Sequence, residues 1–320
     1  MRHRQQTKSM VEGALLAALT VLLSVIGIYL PLIGVFIGFT WPVPITILGL
    51  RHGLKWSILA TVVSGIILAM LVTPLQALTL VLGFGLLGIV LGEAIKRDLS
   101  VGKIIWLGAS ASLLSKILLF LTATLLLGVN SFAENFAMLE RSMEQALNMY
   151  RQMGMDQAQI EMMGDSLRNV MNLMKVVFPA LLVVASIIDT FINYVLSQLI
   201  LKRLGYPAKK VPPFSEWSLP RWVVWGFILG IIFLISGQYY KIEGLTTVGL
   251  NLQYFSSMLF LVQGFSVVSF YLKKYNTNNL VRWLILVMIF ITPFLVGILV
   301  WVGLLDVWFD YRRLNRGDNP

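Results

Sequence analysis

Apolar runs of membrane-crossing length follow one another along almost the whole chain, separated by short polar gaps. A spanning helix takes roughly 20 mostly apolar residues. The pattern therefore predicts spans near 10–30, 32–50, 54–73, 75–95, 102–129, 173–203, 220–238, 247–272 and 280–305. Pro31 parts the first two and Thr73-Pro74 the third and fourth, so both pairs are expected as tight antiparallel neighbours. Thr292-Pro293 interrupts the last run. Read as a kink it leaves nine spans, and read as a hairpin it makes ten. The expected fold class is an all-α polytopic transmembrane helix bundle.

One long polar excursion, 130–172, breaks the rhythm. Ser131 and Glu134 have the spacing of a capping box. Phe132, Phe136, Leu139, Met143, Leu147 and Tyr150 then recur at steps of three and four, which predicts an amphipathic helix. Gly154 ends it, and a second stripe through Ile160, Met163, Leu167, Met171 and Met174 runs into the sixth span. The bland reading is a helical hairpin on the membrane surface or against the bundle. The sharper one is a lid or docking surface, since methionine-rich faces adapt to varied partners.

Composition agrees: the 320 residues are 58% hydrophobic and 12% charged, against about 25% charged in soluble domains. The net charge of +10 sits in short gaps beside apolar runs, the distribution of the positive-inside rule rather than of nucleic-acid binding. Lys8, Arg51, Lys55, Lys96, Arg97, Lys103, Lys202, Arg203, Lys209, Lys210, Lys273, Lys274 and Arg282 all fall on one face. That face is expected to be cytoplasmic, with the N-terminus on it. The gaps at 31–34, 73–76 and 238–245 and the excursion at 130–172 then lie outside. Arg312, Arg313 and Arg316 join the inner face only if there are ten spans. No small-residue cleavage site follows the basic N-terminus, so the first helix is expected to be retained.

Two charges contradict the apolar background. Lys116 lies near the middle of the fifth span and Asp189 near the middle of the sixth. Charge at that depth faces a cavity or a partner. The two are expected to pair, either to fix helix register or as a substrate anchor or proton-coupling site. Ser115, Thr190, Asn193 and Tyr194 would enrich such a cavity. Trp41-Pro42-Val43-Pro44 breaks the second span, where freed backbone can line a cavity or the helix is simply kinked. Glu12 and Glu93 read as interfacial, and Gln263 as an interhelical hydrogen bond. In the first span Gly13/Ala17 and Ala14/Ala18 are small pairs four apart, a spacing that admits a close helix, internal or from another subunit. Gly83, Gly85, Gly88 and Gly92 make a similar face on the fourth.

Enzyme signatures are missing. No phosphate-binding Gly-x-x-x-x-Gly-Lys-Ser/Thr loop occurs, so no ATPase is expected within the chain. Its two histidines, His3 and His52, stand in basic gaps and cysteine is absent. No catalytic residue, metal site or cofactor is expected.

Residues 8–203 resemble the substrate-binding S component of energy-coupling-factor vitamin transporters. The likeness rests on six helices with both ends inside, a Gly/Pro-rich beginning and the Ala14-x-x-x-Ala18 motif. It implies a small-molecule ligand under the outer loops and a membrane coupling subunit docked on the first helix. Three segments resemble the YybS-like family of bacterial membrane proteins: Glu12-Gly13-Ala14-Leu15-Leu16-Ala17-Ala18-Leu19, Leu48-Gly49-Leu50-Arg51-His52-Gly53, and Gly303-Leu304-Leu305-Asp306-Val307-Trp308-Phe309-Asp310-Tyr311-Arg312. This implies a bacterial plasma membrane. The chain is expected to divide into 1–203 and an extension of three or four helices, 204–320. The functional expectation is a transporter-like small-molecule binding component without its own ATPase. The alternative is a membrane scaffold or regulator.

Overall fold

The computed structural model describes residues 2–128, 130–207, 209 and 211–314; Lys210 and Arg316 lie outside them. The described residues are helical and contain no strand. Seven helices are individually long and apolar enough to cross a membrane, or eight if one bent pair makes a single span. The chain is an all-α multi-pass membrane protein. By contacts it forms two compact units, Met1–Gly164 with Ala185–Lys210, and Asp165–Val184 with Val211–Pro320.

In the first unit, α1 (Arg2–Tyr29) is a single long helix. The second span is broken where expected, into two short helices, α2 (Pro31–Gly38) and α3 (Pro42–His52). The break has a physical cause. Proline fixes φ and carries no N–H, so Pro42 and Pro44 suit the first turn of a new helix and not the interior of an old one. Together α2 and α3 return along α1. Gly27 and Gly34 let α2 touch α1, because a Cβ on Gly34 would collide with the Gly27 carbonyl. At the other end Arg51 and His52 reach Glu12.

Every residue from Pro42 to Gly49 is buried. Ile45 and Leu48 close on Ala17 and Ala60, the latter from α4 (Leu54–Leu71). The span Pro74–Lys96 comprises α5 (Pro74–Leu80), a π turn at Val81–Gly85 and α6 (Leu86–Lys96). Its small face meets α3 at backbone distance: Gly92 abuts Gly49, and Thr46 Oγ1 donates to the Gly88 carbonyl at 3.2 Å. A methyl at Gly88 or Gly92 would strike backbone oxygens of Pro42 or Thr46 at 2.8 and 2.7 Å. The turn between α4 and α5 is tight, as expected, with the Thr73 hydroxyl capping α5 through the Gln76 N–H at 3.2 Å.

The next helix, α7 (Val101–Leu127), leads to α8 (Ser131–Gln152). Asn130 caps α8, its Oδ1 accepting from the Ala133 N–H at 3.1 Å; the side chain of Ser131, expected in that role, lies outside the described residues. Phe136 and Leu147 are buried while Leu139 and Tyr150 remain exposed. Gly154, at φ 82°, turns the chain into α9 (Gln157–Arg203), a helix of 47 residues common to both units.

The second unit is built on glycine contacts. Between α10 (Trp222–Tyr239) and α11 (Glu243–Lys274), Gly230 faces Gly249 and Gly237 faces Thr246. Between α11 and α13 (Pro293–Phe309), Gly264 abuts the Leu299 carbonyl and Gly303 the Phe260 carbonyl. Val223, Val224, Phe227, Phe260 and Val307 fill the core between them. At Thr292-Pro293 the last run is sharply bent: α12 (Asn279–Ile291) and α13 meet at 104°, the geometry of a broken span or of a re-entrant loop.

Candidate functional site

Lys116 and Asp189 form the expected pair. Nζ lies 2.5 Å from Asp189 Oδ2, with both side chains largely buried. α7 and α9 approach closely because Gly108 leaves room for the Thr190 methyl. Lys116 also donates to Ser112 Oγ at 2.7 Å, and Ser112 donates onward to Asp189 Oδ2 at 3.4 Å. The triangle satisfies the ammonium partly within α7 and partly across to α9, which a charge at this depth requires.

Beside the pair lies a run of buried polar groups without partners. Ser115 Oγ, Asn193 Oδ1, Tyr194 OH, Ser197 Oγ and Gln198 Oε1 are all buried and accept or donate nothing. Asn193 uses only its Nδ2, which donates to the Asp189 carbonyl at 2.8 Å. On α9 the groups fall one helical turn apart in adjacent rows, Asp189–Asn193–Ser197 and Thr190–Tyr194–Gln198. Buried polar atoms are almost always paired, with protein or with ordered water, so these five atoms have hydrogen-bonding capacity left to fill. Ser197 and Gln198 escape a reading that looks only for charges. Their signal was the four-residue repeat from Asp189 and from Thr190.

At the basic end of the unit, gaps distant in sequence meet. Glu12 binds His52 at 2.6 Å and Arg51 at 3.1 Å, and Ser9 holds the other His52 ring nitrogen at 2.7 Å. Arg51 in turn donates to Tyr206 OH at 3.0 Å. Lys209 bonds the Asp98 carboxylate at 2.8 Å and the Leu99 carbonyl at 2.9 Å. Glu12 is therefore the hub of an ion-pair network rather than a solvated interfacial charge. Glu93 remains local, paired to Arg97 at 2.7 Å. Here lies a pocket of about 220 Å³, lined by Leu50, Ile95, Lys96, Gln198, Tyr206 and Lys209 with a few neighbours. It stands by the N-terminal end of α7, at Ile104, and not by the end that leads into 130–172.

The other candidates separate. Trp41 is fully buried in a different cluster with Val21, Leu68 and Ala77, its ring 6.3 Å from that of Phe84. The small pairs on α1 divide by face. Gly13 and Ala17 are buried against α3 and α4, whereas Ala14 and Ala18 are exposed. Among the described residues no group of three acidic, histidine or cysteine side chains is placed to hold a metal ion.

The second unit holds a charged cluster that sequence reading took for a topology signal. Arg312 is buried, with Nη2 2.9 Å from Asp306 Oδ2. Its guanidinium also donates to the Ser215 carbonyl, Ser266 Oγ and the Trp217 carbonyl. Gln263, expected as an interhelical bond, donates to Asp306 at 2.7 Å and accepts from the Leu219 N–H at 3.1 Å. Asp310, at φ 49°, turns the chain back after α13 and so delivers Arg312 to this site.

Residues 18–307 match the family described as Predicted membrane protein (DUF2232). The chain belongs to this family. It is similar to the "Uncharacterized protein YybS" of Bacillus subtilis (strain 168), 26% identical over 309 residues, which cover 97% of this chain and 99% of that one. No solved structure matches it. Lys116, Asp189, the rows on α9 and Asp306 fall inside the stretch matched by the family, whereas Gly13, Ala14, Ala17 and Arg312 fall outside it.

Proposed function

We propose that this family member is a transporter-like, small-molecule binding component of the bacterial plasma membrane, with its N-terminus in the cytoplasm and no ATPase of its own. The observation that carries the reading is the Lys116–Asp189 pair set among five buried side chains that each carry an unpartnered polar atom. A pair needed only for helix register is satisfied by its own triangle with Ser112. It gives no reason to leave Ser115, Asn193, Tyr194, Ser197 and Gln198 unsatisfied at a cost of about 1–3 kcal/mol each. A hydrogen-bonding ligand supplies the missing partners. Catalysis is not part of the proposal: Ser112 donates to a carboxylate, and the nearby lysine is spent as a donor, so no free base faces the hydroxyl. Energy would come from an ion gradient or from a coupling subunit, for which the outward Ala14/Ala18 face of α1 is the candidate contact.

Mass spectrometry of small molecules retained by the full chain in mild detergent tests this. A specific molecule is expected with the parent protein and lost in Lys116→Met/Asp189→Leu, which removes both charges together and so leaves neither buried charge unpaired. Retention of the same molecule by that variant overturns the site.

One observation favours the second reading, a scaffold or regulator. Met138, Met149, Met153 and Met162 are strongly exposed along α8 and the start of α9. A protein partner lost on replacing these methionines with serine, with no small molecule retained by the parent, would favour it.

A further inference from the structure

We infer that the pocket beside Gln198 is the mouth of a hydrophilic route that runs along α9 to the Lys116–Asp189 pair, and that it admits a small hydrogen-bonding solute bearing a carboxylate or phosphate group. The inference rests on the ligand-site reading above and adds to it the direction of access and the charge of the solute.

Three observations combine. First, Gln198 belongs to both features: it lines the pocket, and its buried Oε1 has no partner. Second, the unpartnered groups continue inward without a gap, Ser197 and Gln198, then Asn193 and Tyr194 one turn deeper, then Asp189. Nine residues at about 1.5 Å rise make this roughly 13 Å, a substantial part of the way into a bilayer core of about 30 Å. A solute moving along it exchanges one hydrogen-bond partner for the next instead of losing all of them. Third, the mouth is basic. Lys96 lines it and its ammonium makes no ion pair or hydrogen bond among the described residues. Lys209 is balanced by Asp98, and Arg51 by Glu12. The unbalanced charge is thus positive at the mouth, whereas at the inner end the Lys116 ammonium is paired with Asp189 and adds no net charge. A cleft of one sign concentrates solutes of the other.

Tyr206 and Lys209 sit across the mouth, held by Arg51 and by the turn after α6. Both belong to the short segment that follows α9, so the residues that form the rows and those that border the opening are continuous in the chain.

The chain contains no cysteine, so single replacements report access directly. The full-length protein in freeze–thawed membrane vesicles would carry Gln198→Cys, Ser197→Cys or, as control, Ser64→Cys. Ser64 is equally buried but its hydroxyl is bound to the Ala17 carbonyl. Each variant is treated with anionic sulfonatoethyl and with cationic trimethylammonioethyl methanethiosulfonate, rates being normalised to those with free mercaptoethanol. Gln198→Cys and Ser197→Cys are expected to react about tenfold faster than the control, since thiol reaction follows exposure. At Gln198→Cys the normalised anionic rate should exceed the cationic one by on the order of tenfold, a preference lost in a Lys96→Gln background. If Ser197→Cys does not fold, Ser115→Cys at the inner end replaces it under the same criterion. Labelling no faster than at Ser64→Cys overturns the route, and equal anionic and cationic rates overturn the assignment of the solute. Neither result depends on retention of a molecule by the parent protein, so failure of the route and failure of the ligand site are separable.

Discussion

Asn251 mends the helical turn that Pro179 interrupts. Its Oδ1 accepts from the Ala180 N–H and its Nδ2 donates to the Val176 carbonyl, each at 2.9 Å. In an unbroken helix those two backbone groups bond to each other. A proline at 179 disturbs that turn, and a carboxamide from α11 occupies it. Asn251→Leu should therefore strand two polar groups within a membrane helix, costing about 1–3 kcal/mol for each. Pro179→Ala should relieve much of that loss by restoring the ladder. Thermal unfolding of the two single variants and the double variant measures the coupling, and strictly additive effects would refute it.

The mid-membrane pair should behave asymmetrically. Lys116→Met or Asp189→Leu alone leaves one buried charge unbalanced, a loss of about 3–5 kcal/mol. The double variant should recover most of the stability without recovering ligand retention. Fluorescence-detected size-exclusion melting follows the first effect and mass spectrometry the second.

Asp306→Asn and Arg312→Met should each loosen the second unit by several kcal/mol, because a guanidinium with five bonds loses its counter-charge or the carboxylate loses its cation. Proteolysis within 211–219 is a specific readout, since Arg312 holds the Ser215 and Trp217 carbonyls. Unchanged cleavage would show that the cluster does not hold that segment.

Glycine positions on α13 should separate cleanly. A methyl at Gly303 meets the Phe260 carbonyl, so Gly303→Ala should destabilise by about 1–3 kcal/mol or more through overpacking. A methyl at Gly297 would have nothing within 4 Å. Gly297→Ala should be neutral or gain up to about 1 kcal/mol of helix propensity. Melting temperatures compare them directly.

On α1, Ala17→Leu should unfold the contact with Ile45 and Leu48, whereas Ala14→Leu and Ala18→Leu should leave stability unchanged because both side chains point outward. Any partner lost on the outward replacements is then lost from a folded protein, which co-purification followed by melting will distinguish.

Periodicity and charge made most of the helices and the Lys116–Asp189 pair legible, because an apolar run of fixed length and a lone buried charge each have few solutions in lipid. Partnerships between neutral polar residues were not legible. Asn251 reads as an ordinary polar position until α9 is seen beside it, and Ser197 and Gln198 gain meaning only once their lack of partners is known. Arg312 read only as a charge near the end of the chain, and only the turn at Asp310 reveals that it folds back to Asp306. The second span read differently. Its apolar length and its break at Trp41-Pro42-Val43-Pro44 were both legible, but not that the helix after the break is buried from Pro42 to Gly49.

The enclosure of α3 constrains how the protein is made. From Pro42 to Gly49 it offers no side to lipid. Its closest neighbours, Gly88 and Gly92, emerge from the ribosome some forty residues later. During synthesis that short helix has no finished surroundings and must await α6 before it can settle. Insertion of the N-terminal unit is thus not a simple march of spans in chain order: an early segment is seated late, and truncations ending before Leu86 should leave it accessible to water-soluble probes.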